Sequence, residues 1–314
     1  MAGASSDTGA GRMTRVPQIA WLADGRRLHL QDGPIDLIIE AKGSELQMRA
    51  AYKAAARRLT GLLDELCAEL ADLRQAADPL RSAMTSAVAQ RMLAAVAPFA
   101  GDYFITPMAA VAGAVAEEIL GAMREDAQLD RAYVNNGGDI ALHLALGEQF
   151  KIGLMDRPDA DGILRMLSID SDDPVRGVAT SGRHGRSFSL GIADAVTVLA
   201  RTASQADAAA TIIANAVDLP SHAAITRVPA NDLQPDSDLG ARLVTREVGI
   251  LSNSDIACAL EAGAGQARRL LEAGLIDAAV LRLSGAIVTV GARGADDVRV
   301  RLGDESGPRN MIHA

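Results

Sequence analysis

Short apolar runs separated by turn signals fill the middle of the chain, and they constrain its fold more than any other feature. Runs of this length, bounded by Gly, Pro and Asn, are typical of β-strands. Asp32-Gly33, between two earlier apolar runs, also predicts an opening β-hairpin. We therefore predict a mainly antiparallel sheet. The middle runs are residues 132–146, 150–155, 163–169, 177–182 and 192–200.

Helical periodicity surrounds these strands. Ser44 begins a capping-box pattern, and leucines at helical spacing up to Leu73 predict one long amphipathic helix that ends before Asp78-Pro79. After a second helical stretch over residues 82–97, Thr106-Pro107 precedes a helix of small residues, in which Ala112 and Gly113 would allow another backbone to approach closely. Strands combined with such helices indicate an α+β fold, with helices packed on the sheet.

The composition excludes several classes of protein. Aromatic residues make up 3% of the chain and its formal net charge is -9, so we expect no nucleic-acid partner. No run of 18 apolar residues occurs, which predicts no membrane span and a cytoplasmic protein. Cys67 and Cys258 lack metal-binding spacing and are expected to pack as small hydrophobic residues. We predict a flexible tail over residues 1–18 and one domain over 19–314.

The first candidate site segment is Asn135-Asn136-Gly137-Gly138-Asp139, between two apolar runs. Paired glycines can present successive backbone N–H groups to an anionic ligand. Asn-Gly and Gly-Asp are equally typical of a simple hairpin turn, so the segment alone leaves both interpretations open.

A second polar segment begins at Thr180-Ser181-Gly182 and continues through His184 and Arg186. Hydroxyl, imidazole and guanidinium groups at this spacing suit anion recognition or acid–base chemistry. A solvated surface loop is the alternative.

The third candidate is the pair Asp207 and Thr211, which lie four residues apart and therefore share one face of a helix. Their oxygen atoms suit Mg²⁺. Alternatively, Asp207 only stabilises its own helix, as the third helical residue of a capping box that Ser204 opens.

Taken in order, these three segments resemble the ApbE (FAD:protein FMN transferase) superfamily, whose members carry an N-x-GGD loop, a TSG turn and an A-D-x-x-x-T helix. The matching sequences are NNGGD, ATSG and ADAVTVLARTASQADAAAT, within roughly residues 100–220. The resemblance is greatest to an uncharacterised ApbE-like branch, through TPMAAVAGAVAE and GIADAV. It implies an ApbE-like, T-fold-like domain.

The resemblance implies a Mg²⁺ ion held partly by Asp207 and Thr211, and FAD or FMN bound against the glycine-rich turns. The residues that would contact the flavin are Asn136, Gly137, Gly138, Asp139, Thr180, Ser181 and Gly182. In FMN transferases of this superfamily an FMN group passes to a protein Thr or Ser, so a protein substrate and a small-molecule ligand are the implied partners. We also expect a homodimer.

The chain departs from the superfamily pattern at two places. The Ala-Lys-Gly sequence that precedes the ligand-binding helix is replaced by Ala112-Gly113-Ala114, and the His-Ile-Ile-Asp-Pro segment after the TSG turn is missing. We predict that His184 and Asp194 take over these polar functions as catalytic residues. Three functions stay open: an FMN transferase, a flavin- or metabolite-binding protein without catalysis, and an enzyme of another substrate class on the same fold.

Overall fold

The predicted strands form one nine-stranded sheet in the computed structural model, which describes residues 15–80, 84–155, 163–291 and 311–313. Its strand order is β1-β2-β3-β4-β5-β8-β9-β12-β13, and every neighbouring pair is antiparallel. The mainly antiparallel α+β prediction is therefore confirmed. The nine strands are β1 (Gln18–Trp21), β2 (Leu28–Asp32), β3 (Ile35–Lys42), β4 (Arg131–Asn136), β5 (Asp139–Leu144), β8 (Gly177–Ser181), β9 (Ala195–Ala200), β12 (Ala278–Leu283) and β13 (Ala286–Val290).

Two smaller sheets accompany the large one. Strands β6 (Gln149–Met155) and β7 (Ile163–Asp170) form an antiparallel hairpin, and β14 (Met311–His313) joins β6 in parallel. Strands β10 (Ile225–Pro229) and β11 (Leu243–Val248) pair with each other.

Helices cover one face of the large sheet. Along β3 every second residue is buried, as expected where one face of a strand packs on a core. None of the helices among the described residues has both the length and the apolar character that a membrane crossing requires. The helices are α1 (Glu45–Leu59), α2 (Leu62–Ala68), α3 (Leu70–Leu73), α4 (Ala87–Val96), α5 (Val111–Asp126), α6 (Ala203–Ala216), α7 (Ala230–Leu233) and α8 (Asn253–Glu272).

The single long helix predicted after Ser44 is instead three helices. Gly61 has a φ of +84°, a left-handed conformation that glycine adopts without steric cost and that interrupts the α-helix between α1 and α2. Leu59, Leu62 and Leu66 are nevertheless buried in the same core. The leucine spacing therefore identified the buried face correctly but not the break.

Helices α5 and α6 lie unusually close together at Gly113. A Cβ atom built there would be 2.3 Å from the carbonyl oxygen of Ala203 and 2.7 Å from the backbone nitrogen of Ser204. The predicted close backbone approach at Gly113 is confirmed. This contact brings the first turns of the two helices together, and the candidate site lies beside it.

The prediction for the cysteines is wrong, because Cys67 and Cys258 are both exposed on their helices. The flexible tail predicted for residues 1–18 falls mostly on residues 1–14, which lie outside the described residues, and β1 begins at Gln18.

Candidate functional site

The β4–β5 turn carries the first candidate segment. Gly137 and Gly138 have φ values of +66° and +112°, so the turn depends on glycine at both positions. The Gly138 N–H donates to the Asn135 side-chain oxygen at 2.8 Å. The hairpin interpretation is therefore correct, and one of the two backbone donors expected to face a ligand is already bound within the turn.

The second segment lies directly beside the first, at the end of β8. The Thr180 N–H donates to the Asp139 Oδ1 atom at 3.1 Å, beyond the last paired residues of β5 and β8, Ile140 and Val178. Gly182 packs tightly on the start of β9, since a Cβ atom there would be 2.6 Å from the Asp194 carbonyl oxygen. The two turns therefore form one edge of the sheet.

The start of α5 contacts both the first turn and helix α6. The Asn136 side-chain amide donates to the Ala112 carbonyl oxygen at 3.1 Å. The Gly113 N–H donates to the Asp207 Oδ2 atom at 3.0 Å. The segment Ala112-Gly113-Ala114, where the chain lacks the superfamily's lysine, thus holds the acidic helix residue in place.

The capping box predicted at Ser204 is wrong. The residue before α6 is Thr202, whose side chain accepts from the Gln205 N–H, and Ser204 is already helical and donates its own N–H to Glu117 Oε1 at 2.6 Å. Helices α5 and α6 therefore cap each other reciprocally: Asp207 accepts at the start of α5, and Glu117 accepts at the start of α6.

Asp139 and Asp207 form a pair of carboxyl groups with raised pKa values. Burial, and then repulsion from Asp207, raise the pKa of Asp139 well above its ordinary value, although the Thr180 N–H and the positive charge of Arg186 act in the opposite direction. Burial also raises the pKa of Asp207, to about 7, against the backbone N–H groups of Gly113 and Ala112. The two carboxyl groups therefore lack a full positive counter-charge.

Two other predicted residues, His184 and Asp194, lie in the loop between β8 and β9. The Asp194 Oδ1 atom accepts from Arg183 Nη2 at 2.6 Å, and its Oδ2 atom accepts from the Ser284 N–H at 2.6 Å. His184 Nε2 lies 3.4 Å from the same Oδ1 atom, and half of its side chain is exposed. Asp194 thereby anchors this loop to the β12–β13 turn.

The structure thus brings Asn136, Gly137, Gly138, Asp139, Thr180, Ser181, Gly182 and Asp207 to one edge of the sheet. Thr211 lies one helical turn after Asp207 and is half-buried. Among the described contacts, none joins Thr211 or His184 to the two carboxyl groups. The ligand-binding, metal-binding and catalytic roles of all these residues stay predictions.

The carboxyl pair fits a divalent cation. Asp139 Oδ1 accepts the Thr180 N–H, Asp207 Oδ2 accepts the Gly113 N–H, and the Ala112 N–H also acts on the Asp207 carboxyl group. Within the described ranges, no group of three or more His, Cys, Asp or Glu side chains could hold a metal ion. Two carboxylates nevertheless suit Mg²⁺, which keeps several waters and is often shared with a ligand phosphate.

The fold and the site define an α+β protein in which a buried and a half-buried carboxyl group, Asp139 and Asp207, lie at the edge of an antiparallel sheet. A family model described as "AbpE bacteria" matches residues 19–289, and the chain belongs to that family. This confirms the resemblance to the ApbE superfamily and to its ApbE-like branch.

Curated relatives match over a shorter region. The chain is 39% identical over 124 residues to a "UPF0280 protein" of Methanococcoides burtonii, covering 37% of the chain and 47% of the relative. It is 40% identical over 129 residues to one of Methanopyrus kandleri, covering 41% and 48%. The chain spans about half the length of the curated relatives it matches.

Solved structures of flavin transferases are also similar to the chain. The flavinyl transferase ApbE of Pseudomonas stutzeri, in its apo form, aligns at 12% identity with a TM-score of 0.45, covering 90% of this chain and 97% of that one. The flavin transferase ApbE of Vibrio cholerae aligns at 12% identity with a TM-score of 0.41, covering 90% and 98%.

Proposed function

We propose that the protein is an ApbE-like enzyme that acts on a flavin or a related phosphorylated small molecule, and that its reaction is Mg²⁺-dependent transfer of FMN from FAD to a protein hydroxyl group. The observation that carries this proposal is the pair Asp139 and Asp207, two carboxyl groups that the Thr180 and Gly113 N–H groups hold beside two glycine-containing turns. Membership of the AbpE family supports it.

In this proposal Asp139, Asp207 and Thr211 hold the metal ion. When bound, Mg²⁺ would neutralise the pyrophosphate and stabilise the negative charge that develops on the departing phosphate. Asn136, the glycine turn and residues Thr180–Gly182 would contact the flavin nucleotide.

The transfer breaks the bond between the FMN phosphorus and the bridging oxygen of the FAD pyrophosphate, and it forms a phosphodiester between that phosphorus and the hydroxyl oxygen of a protein Thr or Ser. AMP leaves, and the hydroxyl group loses its proton. We assign acceptance of that proton to His184, which is half exposed and lies beside Asp194. Asp194 would orient the imidazole, because Arg183 and Ser284 hold its carboxylate in place.

Release of AMP from FAD in the presence of Mg²⁺ tests the proposal directly. We expect AMP from the wild-type chain with an acceptor protein present, and none from Asp207→Asn. Asp172→Asn is a matched control, because Asp172 is exposed and precedes β8 at the far end from Ser181. Absence of AMP release by the wild-type chain would contradict transferase activity.

A second candidate is binding of a flavin or metabolite without turnover. It is favoured by the hydrogen bonds that already tie Asp207 to the start of α5, which give this carboxyl group a structural role without any metal. Flavin that stays bound through purification, without AMP release, would support this function. A thermal-shift screen over flavins, nucleotides and metabolites would separate both from an enzyme of another substrate class. The cytoplasmic location and the homodimer stay predictions.

A further inference from the structure

The guanidinium group of Arg186 lies directly on the glycine turn. A Cβ atom built on Gly137 would be 1.7 Å from Arg186 Nη2 and 2.7 Å from its Cζ atom, so the absence of a side chain at position 137 makes room for the guanidinium group. Arg186 Nη1 also lies 3.5 Å from the Pro34 carbonyl oxygen. One side chain therefore spans three loops at the edge of the sheet that carries the carboxyl pair.

The hydrogen-bonding capacity of Arg186 is largely unused. Across the described ranges, Arg186 forms no ion pair, and the long contact to Pro34 is its one side-chain hydrogen bond. Arg183, three residues earlier, differs because both its Nε and its Nη2 atoms donate to Asp194, at 3.0 and 2.6 Å. A guanidinium group has five N–H donors. Arg186 can therefore bind an anion, whereas the Arg183 guanidinium group already binds Asp194 within the loop.

The glycine turn needs a positive charge from elsewhere to hold an anion. Its Gly138 N–H is bound by Asn135, so the turn does not offer two free backbone donors. The chain has a net charge of -9, and Asp139 and Asp207 lie next to the turn. An anionic ligand would be repelled from this region unless a local cation attracts it.

We propose that Arg186 binds the phosphate groups of the ligand and makes the site select phosphorylated molecules over uncharged ones. The proposal rests on the proposed function for the identity of the ligand. A guanidinium group matches a phosphate with two parallel N–H···O bonds, and its contact with Gly137 holds it at the turn. Arg186 and the residues proposed to hold Mg²⁺ would then both act on the phosphate groups of the same ligand.

The test compares three flavins that share one ring system and differ in phosphate content: riboflavin, FMN and FAD. Binding to the full chain is measured by calorimetry with Mg²⁺ present. We expect Arg186→Gln to lower the affinity for FMN and FAD about tenfold to a hundredfold, the usual range for a lost charge-assisted hydrogen bond. The affinity for riboflavin should be unchanged. Arg186→Lys should retain part of the affinity, because lysine keeps the charge and loses the planar fork.

Arg246→Gln is the matched control, because it removes the same charge from an exposed position on β11. It should leave the binding of all three flavins unchanged. Equal losses for riboflavin and FAD in Arg186→Gln would show a purely structural role and overturn the proposal, as would equal losses in Arg246→Gln.

Inorganic pyrophosphate separates this proposal from the proposed function. If the wild-type chain binds no flavin but binds pyrophosphate, and Arg186→Gln loses that binding, the flavin function fails while the phosphate site is supported. If the wild-type chain binds FAD and Arg186→Gln binds it equally well, the phosphate site fails while the flavin function stands. If the wild-type chain binds neither flavin nor pyrophosphate, both are overturned.

Discussion

Acidic side chains lie at two neighbouring places along helix α5, and their environments are opposite. At its start, Asp207 of α6 lies against the first backbone N–H groups and near Asp139. About two turns further along, Glu118 accepts from Arg58 Nε and Arg91 Nη1, both at 2.7 Å. Burial opposes the charge at both places, but the two arginines outweigh it and lower the pKa of Glu118, whereas the pKa values of the aspartates are raised.

This difference separates a structural cluster from a candidate site. The carboxylate of Glu118 is compensated within the protein, so it stabilises the packing of α1, α4 and α5. The carboxyl groups of Asp139 and Asp207 are not fully compensated, which makes them costly to the fold unless a cation or protons supply the missing charge. Substitutions test this contrast from the largest expected effect to the smallest, and the pH dependence of stability follows them.

Gly113→Ala should have the largest effect on stability, because it disrupts the contact between α5 and α6 that positions Asp207. The new Cβ atom would meet the backbone of Ala203 and Ser204, which cannot move aside like a flexible side chain. We expect a loss of about 3 kcal/mol or more in the free energy of unfolding, measured by urea denaturation.

Gly121→Ala is the control on the same helix, because nothing lies within 4 Å of its Cβ position. It should stabilise the protein by about 0.5 to 1 kcal/mol, the ordinary helix preference for alanine over glycine. Similar unfolding energies for the two variants would show that the α5–α6 approach is not restrictive.

Asp139→Asn and Asp207→Asn should each weaken Mg²⁺ binding by about a hundredfold. Mutation of a residue that only hydrogen-bonds to a metal ligand typically lowers metal affinity about tenfold to a hundredfold. Mutation of a direct ligand should reach the upper end of that range. Titration calorimetry with MgCl₂ measures the affinity. Metal-free stability should be unchanged or higher in both variants, because each replaces one of two carboxyl groups whose charge is not fully compensated. Wild-type affinity in both variants would exclude the pair as the metal site.

The sequence predicted the parts of the site that depend on local structure. The turn at Gly137-Gly138 and the strands around it follow from residues next to one another, and the structure has them as expected. The pairing of Asp139 with Asp207 depends on the packing of α6 against α5 and the sheet, which periodicity cannot specify. Gly113 was the local signal for this packing: it predicted that another backbone approaches α5 closely, but it did not indicate which helix does so.

Two further failures have the same origin. Leucine spacing continues across Gly61, so periodicity alone could not reveal that the backbone turns there. Thr202 and Ser204 are both good capping residues, and the choice between them depends on Glu117, which binds the Ser204 N–H from another helix. Contacts between distant segments decided both cases.

Glu118→Gln should cost about 2 kcal/mol of unfolding free energy, because it weakens two charge-assisted hydrogen bonds and leaves Arg58 and Arg91 undercompensated. The matched control is Glu65→Gln, which removes a more exposed partner of Arg58 and should cost less than about 1 kcal/mol. Mg²⁺ affinity should stay at the wild-type value in both variants. If Glu118→Gln loses Mg²⁺ binding or is no less stable than Glu65→Gln, the assignment of a purely structural role to Glu118 is wrong.

The last prediction concerns the pH dependence of stability. Asp207 has a pKa of about 7 in the folded chain and an ordinary value of 3.8, so the folded state holds a proton that the unfolded state releases between these values. This contribution to the stability of the metal-free protein is therefore present at low pH and declines as the pH rises through 7. Asp207→Asn should remove that part of the decline, while Asp172→Asn should keep it. Saturating Mg²⁺ should oppose the decline, because the ion binds the ionised carboxylates and its affinity rises with pH. Unfolding curves at pH 5 and pH 8, with and without MgCl₂, measure both trends; a wild-type decline in Asp207→Asn would assign it to other groups.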